Sequence, residues 1–261
     1  MKRYLVISIL LGLLATVQAE VVPSPLFGDH AVLPSGDNIV VWGTARDGEA
    51  VAVTYGKVTA RTVTAQGRWE VRLSGLKPSA TPRELIFQGD NRVVSTDVIV
   101  GDLWLCAGQS NMELRMREAD PADVEEAVKN PVPALRWFDL YRLPSNDPAA
   151  LVRGRWLVPT GQTLREMTAA GYHFGRALLQ HRPGVPVGVI GGGVGATSIS
   201  AWVSDRTVLN EPAFAPILER HKKDIETYPK RLEAYEKAKA DHAIKAAQAK
   251  ALCVGRRYVA R

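Results

Sequence analysis

The feature of the sequence that most constrains its fold is residues 97–113, DVIVGDLWLCAGQSNME, where a long apolar run ends in small and polar residues. The apolar run, residues 98–106, has the pattern of a strand buried on both faces. Ala107 and Gly108 then permit a sharp turn. Because ligands of open parallel sheets bind at the carboxyl ends of strands, the polar residues that follow mark the candidate site.

Ser110 lies in the middle of these polar residues, between Gln109 and Asn111. A serine held on such a turn, with backbone N–H groups beside it, can act as a nucleophile. The alternative is that Ser110 only caps the next helix, since serine is a preferred N-cap residue. The local pattern leaves both interpretations open.

A second stretch of interest is the glycine-rich segment 191–197, which follows an apolar run at residues 186–190. Gly191, Gly193 and Ala196 fit the G-x-G-x-x-A pattern of a dinucleotide-binding loop, with Glu211 at the expected distance. However, the residues that follow are poor helix formers, and a purely structural glycine loop also fits.

The distribution of apolar, polar and turn-forming residues predicts three regions after the first 19 residues. Residues 20–96 alternate short apolar and polar runs with turn signals, which predicts a small β-sandwich. Residues 97–218 alternate strands and helices, which predicts an α/β domain with a parallel sheet flanked by helices. Residues 219–261 begin with a charged, alanine-rich stretch that predicts a long helix through residue 251. Within residues 97–218 the predicted elements are a helix at 121–128, strands at 135–141 and 186–190, a loop through residue 159, and a helix that begins after Thr168.

The sequence GQSNM after a WLC-type strand resembles the nucleophile block of the sialate O-acetylesterase family, a branch of the SGNH (GDSL-type) esterases. Residues 25–36, 40–56, 67–77, 169–180 and 185–204 resemble the same family in the same order. The resemblance implies an N-terminal β-domain, an SGNH-like catalytic domain and a carboxylic-ester hydrolase that removes acetyl groups from sialic acid or other O-acetylated sugars. It also implies that Ser110 is the nucleophile, and that its N–H and that of Gly195 bind the oxyanion. Further substrate contacts are expected from Gln109, Asn111, Thr197 and Trp202. No metal or organic cofactor is implied.

The sequence also departs from the family pattern. The family's second loop typically reads N-S-S-W-G-G-T-P-I-E-A-W, so Gly191 replaces an asparagine and Ala196 replaces a glycine. The family's acid–base pair has the form D-x-x-H, and none of the histidines has this spacing; they are His30, His173, His181, His221 and His242. We therefore expect a chain shortened at its C-terminus, with an incomplete esterase domain at residues 97–218. The alternative function is a catalytically inactive fragment or a carbohydrate-binding module.

The first 19 residues read as a secretory signal. Lys2 and Arg3 precede an apolar stretch, and a small residue, Ala19, stands before the expected cleavage site. The apolar stretch is too short for a stable membrane span, so we expect a secreted or periplasmic protein. Six basic residues lie at the two ends of the chain, and the other 27 are matched by 27 acidic residues, so the net charge of +6 gives no reason to expect nucleic-acid binding.

Overall fold

The computed structural model describes residues 20–141 and 152–259, and these form two compact units, the first ending at Thr197 and the second beginning at Ser198. The predicted signal, residues 1–19, lies outside the described residues. The strands of the first unit are β1 (Val22–Pro23), β2 (Val32–Pro34), β3 (Ile39–Thr44), β4 (Ala50–Tyr55), β5 (Val58–Val63), β6 (Arg68–Leu73), β7 (Ser79–Gln88), β8 (Arg92–Gly108), β9 (Leu135–Leu140), β10 (Gly154–Leu157) and β11 (Val187–Gly193). Its α-helices are α1 (Ser110–Glu113), α2 (Pro121–Lys129), α3 (Gly161–Glu166) and α4 (Ala169–His181).

The strands form a three-stranded sheet in the order β1-β3-β6 and an eight-stranded sheet in the order β10-β9-β11-β8-β7-β4-β5, with β2 also paired to β8. The larger sheet is mixed: β9, β11 and the second half of β8 are parallel, whereas β10 and β7 run antiparallel to their neighbours. The prediction of an α/β fold with flanking helices is confirmed, and the predicted parallel sheet is found as the parallel part of this mixed sheet. The N-terminal sandwich is not confirmed as a separate domain, because β8 continues from the antiparallel part of the sheet into the parallel part.

β8 also corrects the prediction that the run at residues 98–106 is buried on both faces. Val98, Ile99 and Val100 are buried, but Leu103, Trp104 and Leu105 are exposed, Leu105 by 66%. The reason is that, within the described residues, the segment from Asp102 to Gly108 is paired with β11 alone. The apolar composition of a segment indicates that its side chains favour burial, but it does not indicate how many neighbouring strands are there to cover them.

Two hydrophobic clusters support this arrangement. One joins the three-stranded sheet to the antiparallel part of the larger sheet, and Trp69 and Phe87 lie in ring contact within it. The other packs α2, α3 and α4 against β9 and β11. α4 approaches the sheet closely because Gly171 faces Val189, and a Cβ at residue 171 would lie only 2.9 Å from that side chain.

Several local predictions are confirmed. The helix expected at 121–128 is α2, and Asp120 caps it by accepting a hydrogen bond from the Ala122 N–H at 2.8 Å, with Pro121 in the first turn. The strand expected at 135–141 is β9, the helix after Thr168 is α4, and the strand expected at 186–190 is β11, which runs on to Gly193. The loop expected through residue 159 is interrupted by β10, which pairs with β9.

The second unit is largely helical. It contains a 3-10 turn (Ile199–Trp202), α5 (Asp205–Asn210), a second 3-10 turn (Pro212–Phe214) and α6 (Ala215–Val259). The predicted long helix is thus confirmed. None of the helices in the described residues is both long enough and apolar enough to cross a membrane.

Candidate active site

Ser110 is the first residue of α1, immediately beyond the carboxyl end of β8. The turn between them depends on Gly108, whose φ of +148° is readily adopted only by glycine. β8 and β11 stay in parallel register to their last pair, Gly108 and Gly193, so the segments that follow both strands leave the sheet at the same edge. The sequence-based placement of Ser110 at the end of a parallel strand is therefore confirmed.

The Ser110 hydroxyl is exposed and is held by its neighbour Gln109. The Ser110 Oγ donates to Gln109 Oε1 at 2.9 Å, and the Ser110 N–H donates to the same oxygen at 3.2 Å. An amide oxygen orients a hydroxyl but is too weakly basic to remove its proton. Asn111 is exposed beside Ser110 on the same helical turn.

The segment after β11 packs directly against α1. A Cβ at Gly193 would lie 2.6 Å from backbone atoms of Met112 and Glu113, so only glycine fits there. The Val194 N–H donates to the Gly108 carbonyl at 2.8 Å. A Cβ at Gly195 would lie 4.0 Å from the Ser110 Cα, which confirms the predicted proximity of this loop to the serine.

The N–H of Gly195 is already engaged, because it donates to Glu113 Oε2 at 2.5 Å. Glu113 is the last residue of α1, and no motif in the sequence indicates a role for it. The signal that was available is its spacing, since a residue three positions after Ser110 lies on the same side of a helical turn. Its partner was not predictable, because Gly195 is 82 residues away.

The loop turns back on itself after Gly195. Thr197 Oγ1 donates to the Val194 carbonyl at 2.7 Å, and Ala196 between them has a φ of +61°. This left-handed conformation favours glycine, which is the residue that the family pattern has at this position.

The Trp137 ring occupies the space that a side chain at residue 191 would need. A Cβ at residue 191 would lie 2.9 Å from Trp137 Nε1, and that buried indole nitrogen has no hydrogen-bond partner among the described residues. An asparagine, as in the family pattern, does not fit here unless Trp137 moves. Trp202 belongs to the second unit, where it ends a 3-10 turn and is half-buried.

No histidine among the described residues hydrogen-bonds to Ser110. His173 contacts the Tyr172 ring on α4, with 5.4 Å between ring centroids, and His221 and His242 are exposed on α6. His30 Nδ1 lies 2.7 Å from Asp97 Oδ2, and Asp97 also accepts two hydrogen bonds from the buried Arg136 at 2.9 and 3.0 Å. Asp97 precedes the carboxyl end of β8 by eleven residues, so this His–Asp pair is far from Ser110.

The neighbouring cysteine does not compete with Ser110 as a nucleophile. Burial raises the pKa of the Cys106 thiol, so it stays protonated at neutral pH. In residues 20–141 and 152–259, no three His, Cys, Asp or Glu side chains are grouped as metal ligands. We therefore assign no metal site.

Comparisons with known proteins identify similar esterases. A family model described as carbohydrate esterase, sialic acid-specific acetylesterase, matches residues 100–235. The sialate O-acetylesterase of Mus musculus is 31% identical over 198 residues, which cover 67% of this chain and 35% of the mouse protein. The human sialate O-acetylesterase is 29% identical over 191 residues, which cover 65% of this chain and 36% of the human protein.

Among solved structures, a carbohydrate acetylesterase from Xanthomonas citri aligns with a TM-score of 0.66 and 32% identity, over 74% of this chain and 44% of that one. The chain spans about a third of the length of the curated relatives that it matches. One assignment follows from the family match over residues 100–235, together with the serine after the Gly108 turn and the loop after β11 that packs against it. The chain belongs to the sialate O-acetylesterase family of carbohydrate esterases.

Proposed function

We propose that this chain carries the nucleophile of a carbohydrate O-acetylesterase, a carboxylic-ester hydrolase, and that Ser110 is that nucleophile. The observation that carries the proposal is the position of an exposed serine at the carboxyl end of β8, with the Gly195 loop directly beside it. The proposed substrate is an O-acetylated sugar, with O-acetylated sialic acid as the first candidate because of the family match.

In the proposed reaction, Ser110 Oγ attacks the acetyl carbonyl carbon and its proton passes to a base. The tetrahedral intermediate then collapses, the C–O bond to the sugar breaks, and the sugar oxygen takes up the proton. Water hydrolyses the resulting acetyl-serine to acetate and free serine. Donors near the carbonyl oxygen stabilise the charge that develops there, and this contribution is generally large.

The Ser110 N–H is the oxyanion donor that the geometry favours. Its bond to Gln109 Oε1 is neutral and long, at 3.2 Å, so it is easily exchanged for a bond to an oxyanion. The predicted second donor, the Gly195 N–H, faces the Glu113 carboxylate. We propose that Gly195, Thr197, Gln109 and Asn111 contact the substrate beside Ser110. The contact expected for Trp202, which belongs to the second unit, stays a prediction from the family resemblance. No cofactor is part of the proposal.

The 261 residues contain no D-x-x-H motif, which is the form in which the family supplies the base. A serine hydroxyl without a base is a poor nucleophile, and loss of triad members costs several orders of magnitude in rate. We therefore expect the 261 residues by themselves to hydrolyse acetyl esters slowly. Joining them to the D-x-x-H segment of a relative should raise the rate strongly.

The test measures p-nitrophenyl acetate hydrolysis and acetate release from O-acetylated sialic acid, by the chain and by its fusion to that segment. Ser110→Ala in each background should abolish the activity while circular dichroism stays unchanged. Equal rates in the serine and alanine proteins would refute the assignment of Ser110.

We also propose that the protein is exported, on the basis of residues 1–19. N-terminal sequencing of the exported protein should begin at Glu20. Recovery of soluble protein that retains Met1 would contradict this proposal.

A further inference from the structure

The Glu113 side chain connects the serine turn to the second loop. Its carboxylate accepts the Gly195 N–H at 2.5 Å, whereas the adjacent Val194 N–H bonds to a backbone carbonyl, that of Gly108. A hydrogen bond from an amide to a carboxylate is charge-assisted and stronger than a neutral one. The contact is also partly buried, which limits competition from water.

Among the described residues, Gly195 makes no backbone–backbone hydrogen bond outside the regular helices and strands. The Val194 N–H bond to the Gly108 carbonyl ends the sheet-like pairing, and the chain then turns through Ala196 in a left-handed conformation. Gly195 lies between these two points, where a Cβ would come within 4.0 Å of the Ser110 Cα. The Glu113 carboxylate accepts the N–H of this peptide.

We propose that Glu113 is a positioning residue for the esterase reaction: its carboxylate clamps the Gly195 N–H and so fixes the second loop against Ser110. This inference rests on the proposed function of Ser110. It also removes the Gly195 N–H from the oxyanion donors, because a donor that is bonded to a carboxylate is neither free nor placed in a favourable field for a second negative charge.

The clamp is tested first by amide hydrogen exchange, which requires no catalytic activity. In the chain as printed, the Gly195 amide should exchange slowly, and Glu113→Ala should speed its exchange by about 10-fold or more, the effect expected from losing a charge-assisted hydrogen bond. Glu113→Gln should stay within about 3-fold of wild type, because its carbonyl oxygen can still accept the bond. Unchanged exchange in Glu113→Ala would overturn the clamp.

The matched control is Glu118→Ala. Glu118 Oε2 accepts the Arg115 N–H at 2.9 Å in the next turn of the chain, so it makes a similar bond that involves no residue of the loop. Its replacement should leave exchange at residue 195 unchanged. If Glu113→Ala does not fold, Gly195→Ala replaces it, since a methyl group there would lie 2.5 Å from Glu113 Oε2 and must displace the carboxylate. Slow exchange at residue 195 in that variant would equally overturn the clamp.

The positioning role is then tested by acetyl-ester hydrolysis with the same substitutions made in the fusion to the D-x-x-H segment of a relative, because that protein has the base that the 261 residues lack in this form. Glu113→Ala should lower kcat by about 10-fold with little change in KM, and Glu113→Gln should recover most of the loss. Faster exchange with an unchanged kcat would overturn the positioning role and leave Ser110 in place. Absence of turnover in every protein would instead overturn the esterase proposal, and the exchange data would still decide whether Glu113 holds the loop.

Discussion

Removing the carboxylate of Asp97 should destabilise the protein far more than its partly exposed position suggests. Asp97 accepts two hydrogen bonds from Arg136, whose side chain is only 5% exposed and whose Nε has no partner among the described residues. Without Asp97, a buried guanidinium is left without its counter-charge. Breaking a buried pair in this way typically costs about 3–5 kcal/mol. Because the Asp97 side chain is 28% exposed, we expect the lower end, about 3 kcal/mol.

Asp97→Asn is the best variant for this test, because the φ of Asp97 is +55° and asparagine tolerates that conformation. It keeps one carbonyl acceptor, so the expected loss in the free energy of unfolding is about 2 kcal/mol. Urea denaturation followed by tryptophan fluorescence measures it. His30→Gly is the control: glycine adopts the φ of +65° at residue 30 without strain, the His30 side chain is 41% exposed, and an exposed pair contributes about 1 kcal/mol or less.

Adding Arg136→Met to Asp97→Asn should recover most of the lost stability, since the unpaired charge is then gone. A loss below about 0.5 kcal/mol for Asp97→Asn, or an equal loss for His30→Gly, would refute the reasoning.

Two further predictions concern the site and its surroundings. Gly193→Ala should lower the free energy of unfolding by about 1–3 kcal/mol, because the new methyl group meets the backbone of α1 at 2.6 Å. Gly192→Ala, whose nearest contact would be 3.6 Å, should cost clearly less, and equal thermal stability of the two variants would contradict this account. A hydrogen bond from Arg117, together with the charges of Arg117 and Arg115, holds the pKa of Glu166 below its ordinary value of 4.5. Ionised Glu166 therefore stabilises the fold at pH values above 4.5, its ordinary pKa, and this stabilisation is lost as the pH falls through the lower pKa of the folded state. Glu166→Gln should accordingly destabilise the protein at neutral pH and approach wild-type stability in acid; a pH-independent difference in urea midpoints would contradict this.

The sequence allowed prediction of those elements whose signals are local. The Asp120–Pro121 pair identifies the start of α2, and the polar residues after β8 identify the serine turn. β10 was missed because it is a four-residue strand that exists through its pairing with β9, and its Trp156 lies against the Phe138 ring at 5.4 Å. A segment of that length carries too little periodicity to be distinguished from a loop.

The candidate site divides in the same way. Ser110 and the glycine loop were found from the residues themselves and from the family resemblance. The Glu113–Gly195 bond and the placement of Trp137 beside Gly191 were not, because both are set by how β8, β9 and β11 pair. Sequence spacing does not report contacts of that kind.

The continuity of β8 has a practical consequence for anyone who wishes to study the serine turn in a smaller protein. Residue 97 is the natural place to cut by sequence texture, yet it lies inside one 17-residue strand. β7 and β2 pair with the portion of β8 around Val98 to Gly101, so a fragment that starts at residue 97 loses the partners that anchor its first residues. The bare backbone of such a fragment would be open to pairing with other chains. The shortest fragment expected to keep the serine turn in place must therefore retain the strands from β2 onward.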